Sequence, residues 1–274
     1  MTSPSLSAAK NENRHVLHHL EHVMGTAVTI DLYSESDGLS DDISLHLAQA
    51  RDVLQRADTV FSTWNVNSPM SRLRRGEITL EQAPPEVTEV LEECATAREI
   101  SHGWFDPWSM PGGVDPTGYV KGWAAQRALR ELVSTEIAGA IVNAAGDIAS
   151  FGAMNRSQAF RIGIVDPLLP NRLACVVELT GAIATSGTYE RGDHLIDPHS
   201  GRPRTQVASA SVSGPDLGLA DALATALAVA GEMGLRLVET IADYEALVID
   251  FDGTLRWTEH FPFADSRSSR RGEK

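Results

Sequence analysis

The run Ala27-Val-Thr-Ile-Asp-Leu-Tyr33 alternates apolar and polar side chains, the period of a half-buried β-strand. From about Ser40 to Val60 the period lengthens, with Ile43, Leu47, Val53, Leu54 and Ala57 recurring at helical spacing. A second helix is predicted from about Pro85 to Ser101, stopped by Gly103, and a third from near Tyr119 to near Ser134. The pattern then shifts to short strands, Ala140–Asn143, Phe160–Val165, Leu173–Leu179 and Val207–Val212, punctuated by Gly, Pro and Asp. An Ala- and Leu-rich helix covers about Leu217 to Ala230, and another about Gly234 to Ala242. Finally, Ala246–Phe251 and Thr254–Trp257 flank Asp252-Gly253, a strong hairpin signal. Hairpin-linked strands with interspersed helices predict an α+β fold with helices packed on a largely antiparallel or mixed sheet.

Polar stretches bound this pattern. Residues 1–20 are expected to form a polar tail, with the Ser-, Asn- and Lys-rich residues 1–14 disordered, and 264–274 a second disordered tail. One folded unit over 21–263 is expected between them. The chain has 274 residues, enough for a sizeable core, and 42% hydrophobic and 22% charged residues are ordinary for a soluble protein. No run approaches the roughly 18 apolar residues of a spanning helix. The N-terminal stretch resembles neither a signal peptide nor a lipid anchor, so a cytoplasmic protein without a membrane anchor is expected. The net charge of −14 argues against nucleic acid as a partner and means that any phosphate ligand needs a metal, backbone donors or a few placed cations. Cys94 and Cys175 stand in apolar surroundings and read as buried thiols rather than a disulfide framework.

Candidate chemistry is scattered. There is no Walker loop, no GxGxxG after a strand, no GxSxG and no HExxH. Asp221 and Thr225 lie four apart in a helical stretch, so their oxygens share a face. That pair suits Mg²⁺; equally, Asp221 can favour a helix N-terminus while Thr225 bonds back to a carbonyl. Asp115-Pro-Thr-Gly118 is turn chemistry opening a helix, whose free N–H groups suit an anion that Lys121 can help neutralise; a solvated lysine beside a plain turn is the alternative. Gly146-Asp147 allows close approach of a ligand to the backbone, or is simply a turn. His194 is a proton carrier or a structural histidine. His15, His19 and His22 fall on one face of a helix, a weak metal signal without a carboxylate partner. Trp64 and Trp108 can stack on flat rings or fill a core.

Taken in order, these clusters resemble the ApbE family of FAD:protein FMN transferases from about Val23 to Phe263. The resemblance is carried by Met24-Gly-Thr26, Phe61-Ser-Thr-Trp64 with Ser71-Arg-Leu73, Phe105-Asp106, and Asp115-x-x-Gly118-x-x-Lys121-Gly122. It continues through Asn143-Ala-Ala-Gly-Asp147, Thr185-Ser-Gly187, Tyr189-Glu-Arg191, His194-Leu-Ile-Asp-Pro198 with Gly201, and Ala220-Asp-Ala-Leu-Ala-Thr225. The resemblance implies Mg²⁺-dependent transfer of FMN from FAD to a Thr or Ser hydroxyl of an acceptor protein, with AMP released. It implies that Asp221 and Thr225 hold Mg²⁺ with a backbone carbonyl near Gly118. Met24, Trp64, Phe105, Asp106, Asp115, Lys121 and Ile196 would line the FAD site. His194 would assist proton transfer, and Asp221 would serve catalysis through the metal. The competing functions are an FAD pyrophosphatase on the same site and a non-catalytic flavin-binding protein. Two departures stand out. Only Pro107 to Val114 separate Phe105-Asp106 from Asp115 where the family carries a longer segment, and Ala145 stands where the family's first glycine of a pair is usual.

Overall fold

Central strands that are buried at consecutive positions belong to a sheet covered on both faces. In the computed structural model, which describes residues 14–34, 38–154, 158–169, 171–187 and 195–264, eight strands form one antiparallel sheet. They are β1 (Arg14–Val23), β2 (Thr26–Ser34), β3 (Gly139–Ala144), β4 (Asp147–Gly152), β7 (Ala182–Gly187), β10 (Ser209–Gly214), β11 (Glu245–Ile249) and β12 (Leu255–Trp257), in that spatial order. Every neighbouring pair in it is antiparallel. Two short hairpins stand apart from it: β5 (Phe160–Val165) with β6 (Leu173–Leu179), and β8 (Ile196–Asp197) with β9 (Arg202–Pro203).

The period of two sorts the core. Ala144, Ala149, Ala182, Ala184, Ala210, Val212, Ala246 and Val248 point to the helical face, which packs α1 (Asp41–Phe61), α2 (Pro69–Arg74), α3 (Pro85–Ile100), α4 (Thr117–Glu131), α5 (Leu217–Ala230) and α6 (Glu232–Val238). Ile148, Ile183, Leu247 and Ile249 point the other way, onto Phe160, Ile164, Val177 and Leu179 of the β5–β6 hairpin and Phe261. Residues 261–264 join that layer, where Ala264 N–H donates to the Val176 carbonyl. Helix α5 is apolar on nearly all sides and packs on β7 and β10 beside α4, which rests on β3 and β4. Gly122 and Gly218 let it sit close: a Cβ at Gly122 would meet the Leu217 carbonyl oxygen at 2.5 Å, and one at Gly218 the Tyr119 ring at 2.8 Å. Helix α1 starts at Ser40, whose Oγ accepts from Ile43 N–H at 3.1 Å.

The α+β class, the strand at 27–33 and the principal helices agree with the sequence, within a few residues at their ends. Residues 14–20 do not belong to a tail. They are most of β1, an edge strand with His19 and Glu21 on its inward side and Leu20 on its exposed side, which removes the apolar alternation that would have marked it. The histidines there consequently share no helix face: His18 pairs with Asp31 and His19 with Glu21. Residues 1–13 and 265–274 lie outside the described residues. Strands β4 and β7 were also missed, being built largely from Ala, Ser, Thr and Gly. Among the described residues no helix is long and apolar enough to cross a membrane. Cys94 and Cys175 are free and buried, one in each core layer, and burial pushes the Cys175 thiol up to about 11.

Candidate functional site

Two hairpin turns set the rim of the site. Val23 pairs with Thr26, so Met24-Gly25 is a two-residue turn, and both residues have positive φ (53° and 69°). Ala144 pairs with Asp147 in the same way around Ala145-Gly146 (54° and 97°). Because β2 and β3 align Val28 with Ala144, both turns lie at the same end of the sheet. Each puts a residue with a side chain into the left-handed region, a strained placement that is common where function fixes the backbone.

Beside these turns opens a cavity of about 820 Å³, at the upper end of the roughly 300–1,000 Å³ usual for ligand sites. Met24, Trp64, Phe105, Asp106, Asp115, Gly118, Lys121, Ile196, Asp221 and Thr225 all line it. Residues from five separate stretches of sequence thus converge on one space. His194 lies outside the described residues, as do Tyr189 and Arg191. Trp108 is 44% exposed and does not line the cavity, whereas Trp64 stands at its lip, 94% exposed.

The floor is electrostatic. Asp221 is the one ionisable side chain of α5 and is 4% exposed, a placement that otherwise costs several kcal/mol. The close approach of α4 at Gly122 sets Lys121 opposite it, with Nζ 3.8 Å from Asp221 Oδ2. Lys121 also makes a closer contact with Asp147 Oδ2, and Asp147 is fully buried at the start of β4. Asp147 Oδ1 accepts from Thr185 N–H at 3.1 Å. Among the described residues the floor thus sets two buried carboxylates beside one ammonium. One turn along α5, Thr225 Oγ1 lies 3.2 Å from Ser186 Oγ, and a Cβ built at Gly118 would lie 3.9 Å from the same Thr225 oxygen. Carboxylate, hydroxyls and the nearby Gly118 backbone are hard oxygen donors of the kind Mg²⁺ takes.

The walls are held by carboxylates whose lone pairs their own chain occupies. Asp106 accepts from Arg98 Nε at 2.7 Å, Trp108 N–H at 2.9 Å and Ser109 Oγ at 3.0 Å. Burial pushes its carboxyl up, but these donors outweigh burial and hold it below the usual range. Asp115 accepts from Thr117 N–H at 3.1 Å at the start of α4, and its other oxygen pairs with Arg74 at 3.1 Å. The Arg74 guanidinium also bonds the carbonyls of Pro111 (2.9 Å) and Gly112 (3.3 Å), tying the short segment before Asp115 to the end of α2. Asp197, next to Ile196, accepts from His199 N–H at 2.9 Å and Arg204 Nη1 at 3.1 Å. Burial opposes ionisation there too, and the donors again prevail. Phe105 fills the angle between α4 and the loop, in van der Waals reach of Gly118.

Sequence reasoning did not assign Asp147 or Arg74 to the site. Asp147 carried a signal, since it ends the Asn143–Asp147 cluster. Arg74 carried none, because an arginine at the end of a short polar helix looks like any solvated one.

A family model described as the ApbE family matches residues 24–112 and 109–248. A FAD:protein FMN transferase of Rhodobacter capsulatus is 31% identical over 228 residues, 72% of this chain and 42% of that protein. One from Vibrio cholerae is 35% identical over 130 residues, 43% of this chain and 39% of that protein. The chain therefore spans less than half the length of these relatives. Among solved structures, the flavin transferase ApbE from Vibrio cholerae superposes with a TM-score of 0.75 at 23% identity, over 88% of this chain and 96% of that one. The apo form of the Pseudomonas stutzeri flavinyl transferase ApbE gives 0.75 at 21%, over 90% and 96%. Both share this α+β fold.

Proposed function

This chain belongs to the ApbE family, and on that premise we propose that it transfers FMN from FAD to a Thr or Ser hydroxyl of an acceptor protein and releases AMP. The observation that carries the reading is the convergence of ten residues from five stretches of sequence on one cavity whose floor is the Lys121–Asp147–Asp221 cluster. The acceptor hydroxyl oxygen forms a bond to the FMN-side phosphorus, the bond from that phosphorus to the bridging oxygen breaks, and AMP leaves with that oxygen. The hydroxyl proton goes to a base, for which His194 is the candidate.

The residues present fit a magnesium ion: Asp221, Thr225 and the Gly118 carbonyl would hold it. When bound, the ion neutralises pyrophosphate charge and polarises the phosphoryl group. Among the described residues lining the cavity Lys121 is the one cation, and it would offer positive charge to an anionic ligand from the first turns of α4. Met24, Phe105 and Ile196 offer apolar contact to a flat ring system, and Trp64 at the lip is free to stack on one. Asp106 and Asp115 act mainly by holding the wall in place, since their acceptors are already engaged. A cytoplasmic acceptor is the expectation that accompanies this reading.

The test is AMP release from FAD with and without Mg²⁺, with mass spectrometry of a candidate acceptor peptide. AMP together with a peptide gaining FMN supports the transferase. AMP with free FMN alone replaces it with a pyrophosphatase, and no AMP leaves a flavin-binding protein. Asp221→Ala is expected to lower AMP release by about a hundredfold or more, on the scale of losing one electrostatic catalytic element.

A further inference from the structure

We propose that Arg74 is a positioning residue for FAD binding, whose guanidinium holds residues 110–115 in the form that walls the cavity. The inference rests on FAD being the ligand, as read above, and concerns how the chain prepares its own wall. Met110, Pro111 and Asp115 line the cavity. The ends of their segment are pinned. Asp106 accepts from Trp108 N–H and Ser109 Oγ at one end, and Asp115 N–H donates to the Pro107 carbonyl at 2.9 Å to close the other. The middle has less to hold it. Pro111, Gly112 and Gly113 are exposed, both glycines have positive φ (81° and 104°), and Gly113 N–H reaches the Met110 carbonyl only at 3.3 Å. Two adjacent glycines leave such a stretch many conformations.

Arg74 restricts them. It ends α2, a short helix anchored by the fully buried Met70 and capped by Ser68, whose Oγ accepts from Ser71 N–H at 3.0 Å. From that fixed base every nitrogen of the guanidinium meets the segment. Nη1 donates to Asp115 Oδ2 at 3.1 Å, Nη2 to the Pro111 carbonyl at 2.9 Å and Nε to the Gly112 carbonyl at 3.3 Å. The planar fork of arginine suits three acceptors at once, which a lysine cannot reproduce. Close approach depends on Gly112, where a Cβ would lie 3.1 Å from Nη2. The side chain is 15% exposed, so water competes little for these bonds. With its donors engaged, Arg74 acts on a ligand through the wall. When the binding form of a segment is present only part of the time, apparent affinity falls by that fraction. Loss of the fork therefore weakens FAD binding and spares the step that follows it.

The probe is FAD, titrated calorimetrically into the purified full chain without Mg²⁺, with hydrogen–deuterium exchange of residues 110–115 read before FAD is added. Arg74→Gln is expected to weaken FAD binding about tenfold, as for a segment in its binding form about a tenth of the time. It should also speed exchange in the segment by about tenfold or more and raise the KM for FAD while kcat for AMP release stays within about threefold. Arg74→Lys keeps the charge and loses the fork, so it should bind FAD about as weakly as Arg74→Gln. Thermal melts check that both variants fold. Unchanged FAD affinity in Arg74→Gln, wild-type affinity in Arg74→Lys, unchanged exchange in the segment, or a fall in kcat at constant KM would each overturn the proposal. A wild-type chain that binds no FAD with or without Mg²⁺ would overturn it together with the transferase reading. FAD binding with this pattern intact but without AMP release would sink the transferase reading alone.

Discussion

The two faces of the sheet are built from the same strands by the same alternation, yet they differ in what they bury. The face under the β5–β6 hairpin is closed by Phe160, Ile164, Val177 and Leu179 on Ile148, Ile183, Leu247 and Ile249, with no buried carboxylate there among the described residues. The helical face carries the buried carboxylates Asp106, Asp147, Asp197 and Asp221, together with the cavity. The hairpin face combines apolar packing with hydroxyls, the oxygens of Thr185 and the buried Ser211 lying 2.8 Å apart. The helical face holds the larger apolar core and, beside it, charge and strained turns next to a space large enough for a ligand. The candidate chemistry is thus confined to one side of a single sheet, while packing is shared by both.

The comparison breaks most visibly if the hairpin face is opened. Phe160→Ala removes a fully buried ring and is expected to destabilise the chain by about 3–5 kcal/mol. Urea unfolding measures this, while AMP release per folded molecule should stay within twofold. A large fall in turnover would show that the faces are coupled. Gly122→Ala should strike both properties. The added Cβ meets the Leu217 carbonyl oxygen at 2.5 Å and Asp221 Cβ at 3.2 Å, so α4 and α5 must separate. The expected cost is about 1–3 kcal/mol, with loss of AMP release even at temperatures where the variant is folded.

Smaller effects sharpen the same contrast. Ala145→Gly relieves a side chain at φ 54° on the rim. The strain is worth about 1–2 kcal/mol and the extra freedom of the unfolded glycine takes back part of it, so a net gain of about 0.5–1 kcal/mol is expected. A fall in melting temperature would contradict the turn geometry. At the sheet edge, away from the cavity, His19, Arg51 and Gln55 bond Glu21 and lower its carboxyl to about 2. A depressed folded pKa stabilises above the ordinary value of 4.5 and loses that contribution as pH falls towards 2. Glu21→Gln should therefore cost about 1 kcal/mol at pH 6, after allowance for screening at an edge strand, and almost nothing at pH 2. Equal costs at both values would remove the ion-pair explanation.

The chain's own periodicity determined much of this molecule. Apolar spacing marked α1, α3, α4 and α5, and β-branched runs marked β2, β3, β5 and β6, because those elements bury enough surface for burial to leave its period in the sequence. Asp221 and Thr225 were legible as a pair because helical geometry makes i and i+4 neighbours whatever surrounds them. Tertiary structure alone decided the rest. It made β1 a strand through pairing with β2 despite polar residues, and it recruited the small-residue strands β4 and β7 through ladder bonds that no side chain encodes. It also set Lys121 between Asp147 and Asp221, and Arg74 onto Asp115. Partners across 26 to 100 residues are chosen by how layers pack, and local pattern carries no trace of that choice.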